Sequence, residues 1–259
     1  MLGNGALLAT LSDRARVEAL FWPTVDRGSH VGELRLGIER DGKLSWLDEE
    51  SQAQQSYLEG TNVLLTRLGD VEVVDLVHEI EPVLLRRVSG EGRLVLQCRP
   101  ELDGSTRLIG ASVAGNRVVF YRRDVALAIG ALGAEAFSQG FGNAEGGIAC
   151  TISGHAVVAL AFGASSREAV ARLDAALQQD FPELLASRRR HDAARLDSAA
   201  PASVSAPEGL VALYRRTLLV LDLLSDRRTG AVIAAPELDA ALQQDFPELL
   251  ASRRRHDAA

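Results

Sequence analysis

The spacing of apolar residues changes once along this chain, at Ser165, from every second position to about every 3.6. A period of two belongs to half-buried strands and the longer one to helices, so the chain must divide into a β part followed by a helical part. From Asn4 to about Phe162 short apolar runs are punctuated by turn residues, the pattern of an all-β domain. Strands are expected at 6–11, 17–21, 34–39, 43–47, 56–66, 71–78, 84–89, 94–99, 108–114, 117–121, 125–129, 148–153 and 155–162. Ser12, Asp13 and Arg14 close the first hairpin, and Asp41 with Gly42, a pair that accepts positive φ, closes the second. Two further closures are expected across 89–92 and across Gly115 and Asn116. So many strands predict two packed sheets, because an open twisted sheet of that size curls or splits.

Beyond Ser165 the pattern is helical. Val170, Leu173 and Leu177 recur on one face, Ser165 or Ser166 can cap the start, and Glu168 sits where the helix dipole favours an anion. Asp180 before Phe181 and Pro182 reads as a second start, with a helix to about Leu196. The stretch DSAAPASVSAP is a linker, and 208–226 is a helix whose leucines cover more than one face, so it needs neighbours on most sides. The last segment, 238–259, repeats 173–194 letter for letter as LDAALQQDFPELLASRRRHDAA. Divergence erases such identity, which implies a recent copy or an assembly error and a lost continuation after Pro236 and Glu237.

A formal net charge of -7, from 28 Lys plus Arg against 35 Asp plus Glu, supplies no electrostatic attraction for nucleic acid or an anionic membrane. Neither is expected as a partner. Cys98 and Cys150 are too few and too far apart for a metal knuckle or a disulfide framework, and both read as buried thiols in apolar runs. The opening MLGNGALLATL has no basic region before a long apolar stretch, and no segment approaches a membrane span, so a cytoplasmic location is expected.

Several runs together carry a family likeness: GNGALLATLS (3–12), LFWPTVD (20–26), HVGELRLG (30–37), SWL (45–47), YLEGTNVLLT (57–66), RRVSG (86–90), Arg99 with Pro100, and ALYRRTLLVLDLLSDRRTGAVIAAPE (212–237). In that order and spacing the chain resembles the N-terminal region of bacterial family-15 glycoside hydrolases, the glucoamylase-like and trehalase-like enzymes. The resemblance implies a mainly β fold: a two-sheet β-supersandwich, then linker helices, then the opening helix of an α/α barrel. It places the sandwich at 1–163, the helical linker at 164–207, the start of the barrel at 208–237 and the duplicate at 238–259. Family members cleave α-glucosidic bonds with inversion, one glutamic acid protonating the leaving oxygen and a glutamate activating water. The family carries both on barrel segments beyond its first helix, and this sequence has neither. The chain is therefore expected to be an inactive portion of an α-glucan or trehalose-like sugar hydrolase, with no catalytic, cofactor or metal residues of its own. The competing expectation is a stand-alone sandwich that binds carbohydrate or another protein.

Within the chain, Asp48, Glu49 and Glu50 form the densest acidic cluster, and a carboxylate pair is what glycoside hydrolysis needs. They follow Trp46 and Leu47 at a strand end, where a solvated loop is the simpler account. Asp26, His30 and Glu33 could line a site behind Trp22, but they lack nucleophile or metal spacing. His78 and His155 stand alone on expected strands. Gly140, Gly142, Gly146 and Gly147 lead into a strand rather than a helix and fit no nucleotide fingerprint. RRRH at 188–191, and again at 253–256, reads as a basic patch complementing a helix dipole. The apolar helix 208–226, deprived of barrel neighbours, is expected to drive self-association.

Overall fold

The computed structural model describes residues 1–24, 27–50, 52–107, 109–114, 117–132, 134–136, 146–200 and 207–232. Asp26, Gly140, Gly142 and the second copy at 238–259 lie outside the described residues. The fold is mainly β, a large antiparallel sheet sandwich followed by three helices.

Fourteen strands form among the described residues. Two of them, β9 (Val83–Pro100) and β14 (Gly146–Gly163), run 18 residues each and pair along most of their length. Their two ends belong to different layers. In the first layer the start of β9 pairs with β8 (Val71–Val77), which continues to β7 (Val63–Leu68) and β6 (Ala53–Tyr57). The end of β14 extends the same layer through β12 (Val125–Ala131), β11 (Arg117–Arg122) and β10 (Gly110–Ala114). In the second layer the end of β9 pairs with β4 (Val31–Arg40), followed by β3 (Val17–Phe21), β2 (Leu8–Leu11) and β1 (Leu2–Gly3). β5 (Lys43–Trp46) closes a hairpin on β4, and β13 (Ala134–Ala136) pairs with the start of β14.

The expected hairpin across 89–92 is therefore a bend within one strand. Gly92 takes φ +117°, and a Cβ there would stand 2.8 Å from the carbonyl oxygen of Glu39, so the glycine bends β9 where it passes from one layer to the other. Opposite it, 148–153 and 155–162 are likewise one strand. The two packed layers of the sandwich are joined through β9 and β14 into one hydrogen-bonded path folded over. Conversely the expected strand 56–66 is two, because residues 58–62 form a turn in which Thr61 N–H and Oγ1–H both donate to the Leu58 carbonyl.

Local signals behave as written elsewhere. Asp41 and Gly42 take φ of 52° and 74° and close β4 to β5 in the register Arg40 to Lys43. The layers meet over one apolar cluster that includes Leu20, Leu34 and Leu36 from one side and Leu84, Leu127 and Leu160 from the other. Polar ties cross the gap between them. Asn4 Nδ2 donates to the carbonyls of His78 at 2.8 Å and Glu81 at 2.9 Å, and Gln55 Nε2 donates to the Ser12 carbonyl at 2.8 Å.

The helices coat the outside of the first layer and the edge of the second. α1 (Ser166–Leu177) is capped reciprocally: Ser165 Oγ accepts from Glu168 N–H at 3.2 Å, and Glu168 Oε2 accepts from Ala164 N–H at 2.8 Å. Its buried Ala169, Leu173 and Leu177 lie on a sheet face made shallow by Ala126, Ala128, Ala159 and Ala161, which lets the helix approach. α2 (Phe181–Asp197) continues that contact with Phe181 and Leu184. α3 (Glu208–Leu224) returns to the second layer, where Leu223 and Leu224 cluster with Leu8 and Phe21.

Candidate functional site

The residues behind Trp22 form a packed corner. His30 is fully buried, its Nδ1 accepting from Asp103 N–H at 3.1 Å and its Nε2–H donating to the Trp22 carbonyl at 2.5 Å. Both nitrogens are used. Burial holds the imidazole below its ordinary range, so the neutral tautomer with Nε2–H is the one this corner keeps. Its ring lies 5.1 Å from that of Phe162, which stacks on Trp22 at 5.9 Å and 15°. Glu33 is not part of this corner but approaches Arg35 at 3.7 Å and Arg16 at 3.9 Å.

The acidic cluster is part tied down and part solvated. Arg35 grips Asp48 through Nε and Nη2 at 2.9 and 2.8 Å, its Nη2 also reaches Glu49 Oε1 at 2.7 Å, and its guanidinium lies 4.6 Å from the Trp46 ring centre. Asp48 is only 12% exposed. Asp48 thus gives both oxygens to one guanidinium, while Glu49, reached through a single oxygen, stays 67% exposed. His78 follows β8, where its Nδ1 accepts from the N–H groups of Ile80 and Glu81. His155 is exposed on β14. Cys98 is buried, its thiol pushed up to about 12 by desolvation, and so is not a nucleophile. Among the described residues no three His, Cys, Asp or Glu side chains are grouped to hold a metal ion.

The densest buried polar assembly lies where the 58–62 turn meets the helices. Arg188 and Asp192 are fully buried, paired at 2.9 Å, and Asp192 Oδ2 also accepts Asn62 N–H at 2.7 Å. Asn62 Nδ2 donates to the Leu219 carbonyl on α3 at 3.1 Å, so one asparagine ties both helices to the sandwich. Arg216 donates to the Thr61 carbonyl at 2.9 Å and stacks 3.5 Å over Tyr57, whose hydroxyl donates to the Met1 carbonyl. The basic reading of 188–191 thus fails at Arg188, which is a buried ion-pair partner; its spacing of four from Asp192 is the signal that marks it. After Tyr57, which ends β6, the rest of the YLEGTN run is a turn that clamps the helices rather than strand.

α3 has two unlike apolar sides. Leu219 and Leu223 are buried, while Leu210, Leu213 and Leu221 on the other side are 57%, 61% and 44% exposed. Fully burying such side chains contributes roughly 2 kcal/mol each, so covering this stripe would be favourable. No helix among the described residues is long and apolar enough to cross a membrane.

No family model matches the chain. An uncharacterized glycosyl hydrolase of Methanocaldococcus jannaschii is 32% identical over 99 residues, 36% of this chain and 16% of that protein. In structure the chain is similar to a bacterial glucoamylase complexed with acarbose, with TM-score 0.76 and 14% identity over 91% of this chain and 42% of that one. A family GH92 α-mannosidase of Bacteroides thetaiotaomicron gives TM-score 0.54 and 11% identity over 87% of this chain and 38% of that one. The chain spans less than half the length of each of these proteins. Its fold, sandwich and helices together, is that of a glycoside-hydrolase-like N-terminal region.

Proposed function

We propose that this chain is the scaffold portion of a hydrolase of α-glucosidic bonds, of the glucoamylase or trehalase type, and that it performs no hydrolysis by itself. In this reading residues 1–163 are the sandwich, 164–207 the linker and 208–237 the opening of a helical catalytic domain. The observation that carries it is the glucoamylase likeness over 91% of the chain, which extends past the sandwich into the helices. The α3 stripe supports it, because a helix docked on one side and apolar on the other fits against further helices. An α-glucan or trehalose-like sugar is the substrate class of the whole enzyme.

The expected inactivity rests on chemistry: inverting hydrolysis needs an acid and a base flanking the bond, and in the acidic cluster here Asp48 and Glu49 share one guanidinium, with Asp48 gripped by both oxygens. Expressed as given, the chain is expected to release no glucose above background from maltose, isomaltose, maltooligosaccharides or trehalose. Turnover that disappears when one acidic residue is changed overturns the proposal.

The stripe also predicts self-association. At tens of micromolar, the order of concentration at which exposed apolar surface associates, light scattering is expected to report oligomers. Leu213→Glu, which charges the middle of the stripe, should shift them toward monomer. A parent chain that is already a clean monomer counts against an unpartnered stripe.

A further inference from the structure

We propose that the groove on the outer face of the first layer is a two-occupant site, in which residues 238–259 dock in exchange with residues 173–194 of the same chain. The groove is lined by Val63, Val74, Leu76, Val83 and Leu85 and closed by the Asn62 turn. What it recognises is on its present occupant: Leu173, Leu177, Phe181 and Leu184 enter the apolar cluster, and Arg188 with Asp192 makes the buried pair that receives Asn62 N–H. Every one of those residues recurs 65 positions later, as Leu238, Leu242, Phe246, Leu249, Arg253 and Asp257. The second segment therefore carries the docking residues from Leu173 to Asp192. Ala169 and Arg172 precede the repeat, and Glu237 stands where Arg172 would, so the contacts of Arg172 to Glu81 and Phe162 belong to the first copy alone.

Chain connectivity brings the second copy within reach. Both helices of the first copy touch the turn after β8, where Arg172 Nε of α1 donates to Glu81 Oε2 at 2.8 Å and Ser187 Oγ of α2 donates to Glu79 Oε1 at 2.8 Å. The chain leaving α3 passes the same turn, since Arg227 Nη1 donates to the Ile80 carbonyl at 3.2 Å. Val232 is bridged back to Ser225, just past the end of α3. Six residues from Val232 to Leu238 span up to about 20 Å. Both copies are thus tethered beside one groove, at effective concentrations on the order of millimolar. Two identical ligands at similar effective concentration share one site. Continuity with the first turns of α1 favours the first copy, and damage to it hands the groove to the second.

The test uses the full chain in four forms: parent, Leu184→Asp, Leu249→Asp and both together. Leu184 is 2% exposed, so a carboxylate there cannot occupy the groove. Exchange predicts that either single variant melts within about 3 °C of the parent, while the double variant melts roughly 10 °C lower or loses its cooperative transition. Hydrogen exchange supplies a second measurement, because Leu184→Asp gives the two otherwise identical segments different masses. In that variant the amides of 246–250 should gain protection as those of 181–185 lose it. A Leu184→Asp chain that is destabilised as far as the double variant, or fails to fold, overturns the proposal. So does a double variant as stable as the parent, or protection at 246–250 that does not change.

Discussion

Asp75→Ala is expected to lower the free energy of unfolding by about 3–5 kcal/mol, the range seen when one partner of a buried ion pair is removed. Asp75 and Arg86 face each other across the β8–β9 ladder with both side chains fully buried, joined at 2.6 Å from Nε to Oδ1 and 3.2 Å from Nη2 to Oδ2. Arg86 Nη2 also donates to the carbonyl of Ala15, a residue held at φ 57° in the turn between β2 and β3. The pair thus joins the inner faces of both layers. Without the carboxylate the guanidinium stays charged in an apolar core, with the Ala15 carbonyl as its remaining acceptor among the described residues. Since a domain has only about 5–15 kcal/mol in total, the loss is a large share. Replacing both residues, by Asp75→Leu with Arg86→Met, removes the stranded charge and should cost less than Asp75→Ala alone. Urea midpoints for the three chains decide it, and a single variant within about 1 kcal/mol of the parent would show that this pair does not tie the layers.

What could be read in the sequence follows from how far apart the deciding residues lie. The Asp41-Gly42 turn, the Ser165 cap and the change of period after it are local devices, in which residues a few positions apart satisfy one another's backbone groups. They were legible for that reason. The bend at Gly92 was not, because a glycine that reverses a chain and one that bends it look alike in sequence; the choice depends on Glu39, about fifty residues away. Residues 56–66 read as one strand because apolar spacing ignores the Thr61 turn, whose Asn62 finds its partners on helices more than a hundred residues later. RRRH read as one basic patch because its run of charge hides Arg188, which only its spacing of four from Asp192 sets apart in sequence and which the groove buries while Arg189 and Arg190 stay exposed. Asp48 looked solvated because Arg35, which holds it, comes from β4, on the far side of the β5 hairpin.

Phe162→Ala is expected to cost about 3–5 kcal/mol, the range for deleting a fully buried aromatic side chain. The ring stands at the end of β14, in the first layer, yet both of its aromatic neighbours, Trp22 and His30, belong to the second. The backbone at the same residue is committed as well: Phe162 N–H donates to the Pro82 carbonyl at 3.0 Å, and its own carbonyl accepts from Arg172 on α1 at 2.8 Å. The residue cannot shift to close the space without loosening α1. His30 cannot turn into it either, because both ring nitrogens are bonded to backbone. A cavity that its surroundings cannot collapse is the expensive kind. Phe162→Leu keeps much of the volume and loses mainly the ring contacts, worth about 0.5–1.5 kcal/mol beyond area, so it should cost clearly less. Trp22 reports the event directly. In a Trp46→Phe background it is the one remaining tryptophan of the two in the chain, and its emission should shift to the red in Phe162→Ala before any unfolding. If the variant unfolds at the parent's urea midpoint with unchanged emission, the layers are held at this corner by something other than the Phe162 ring.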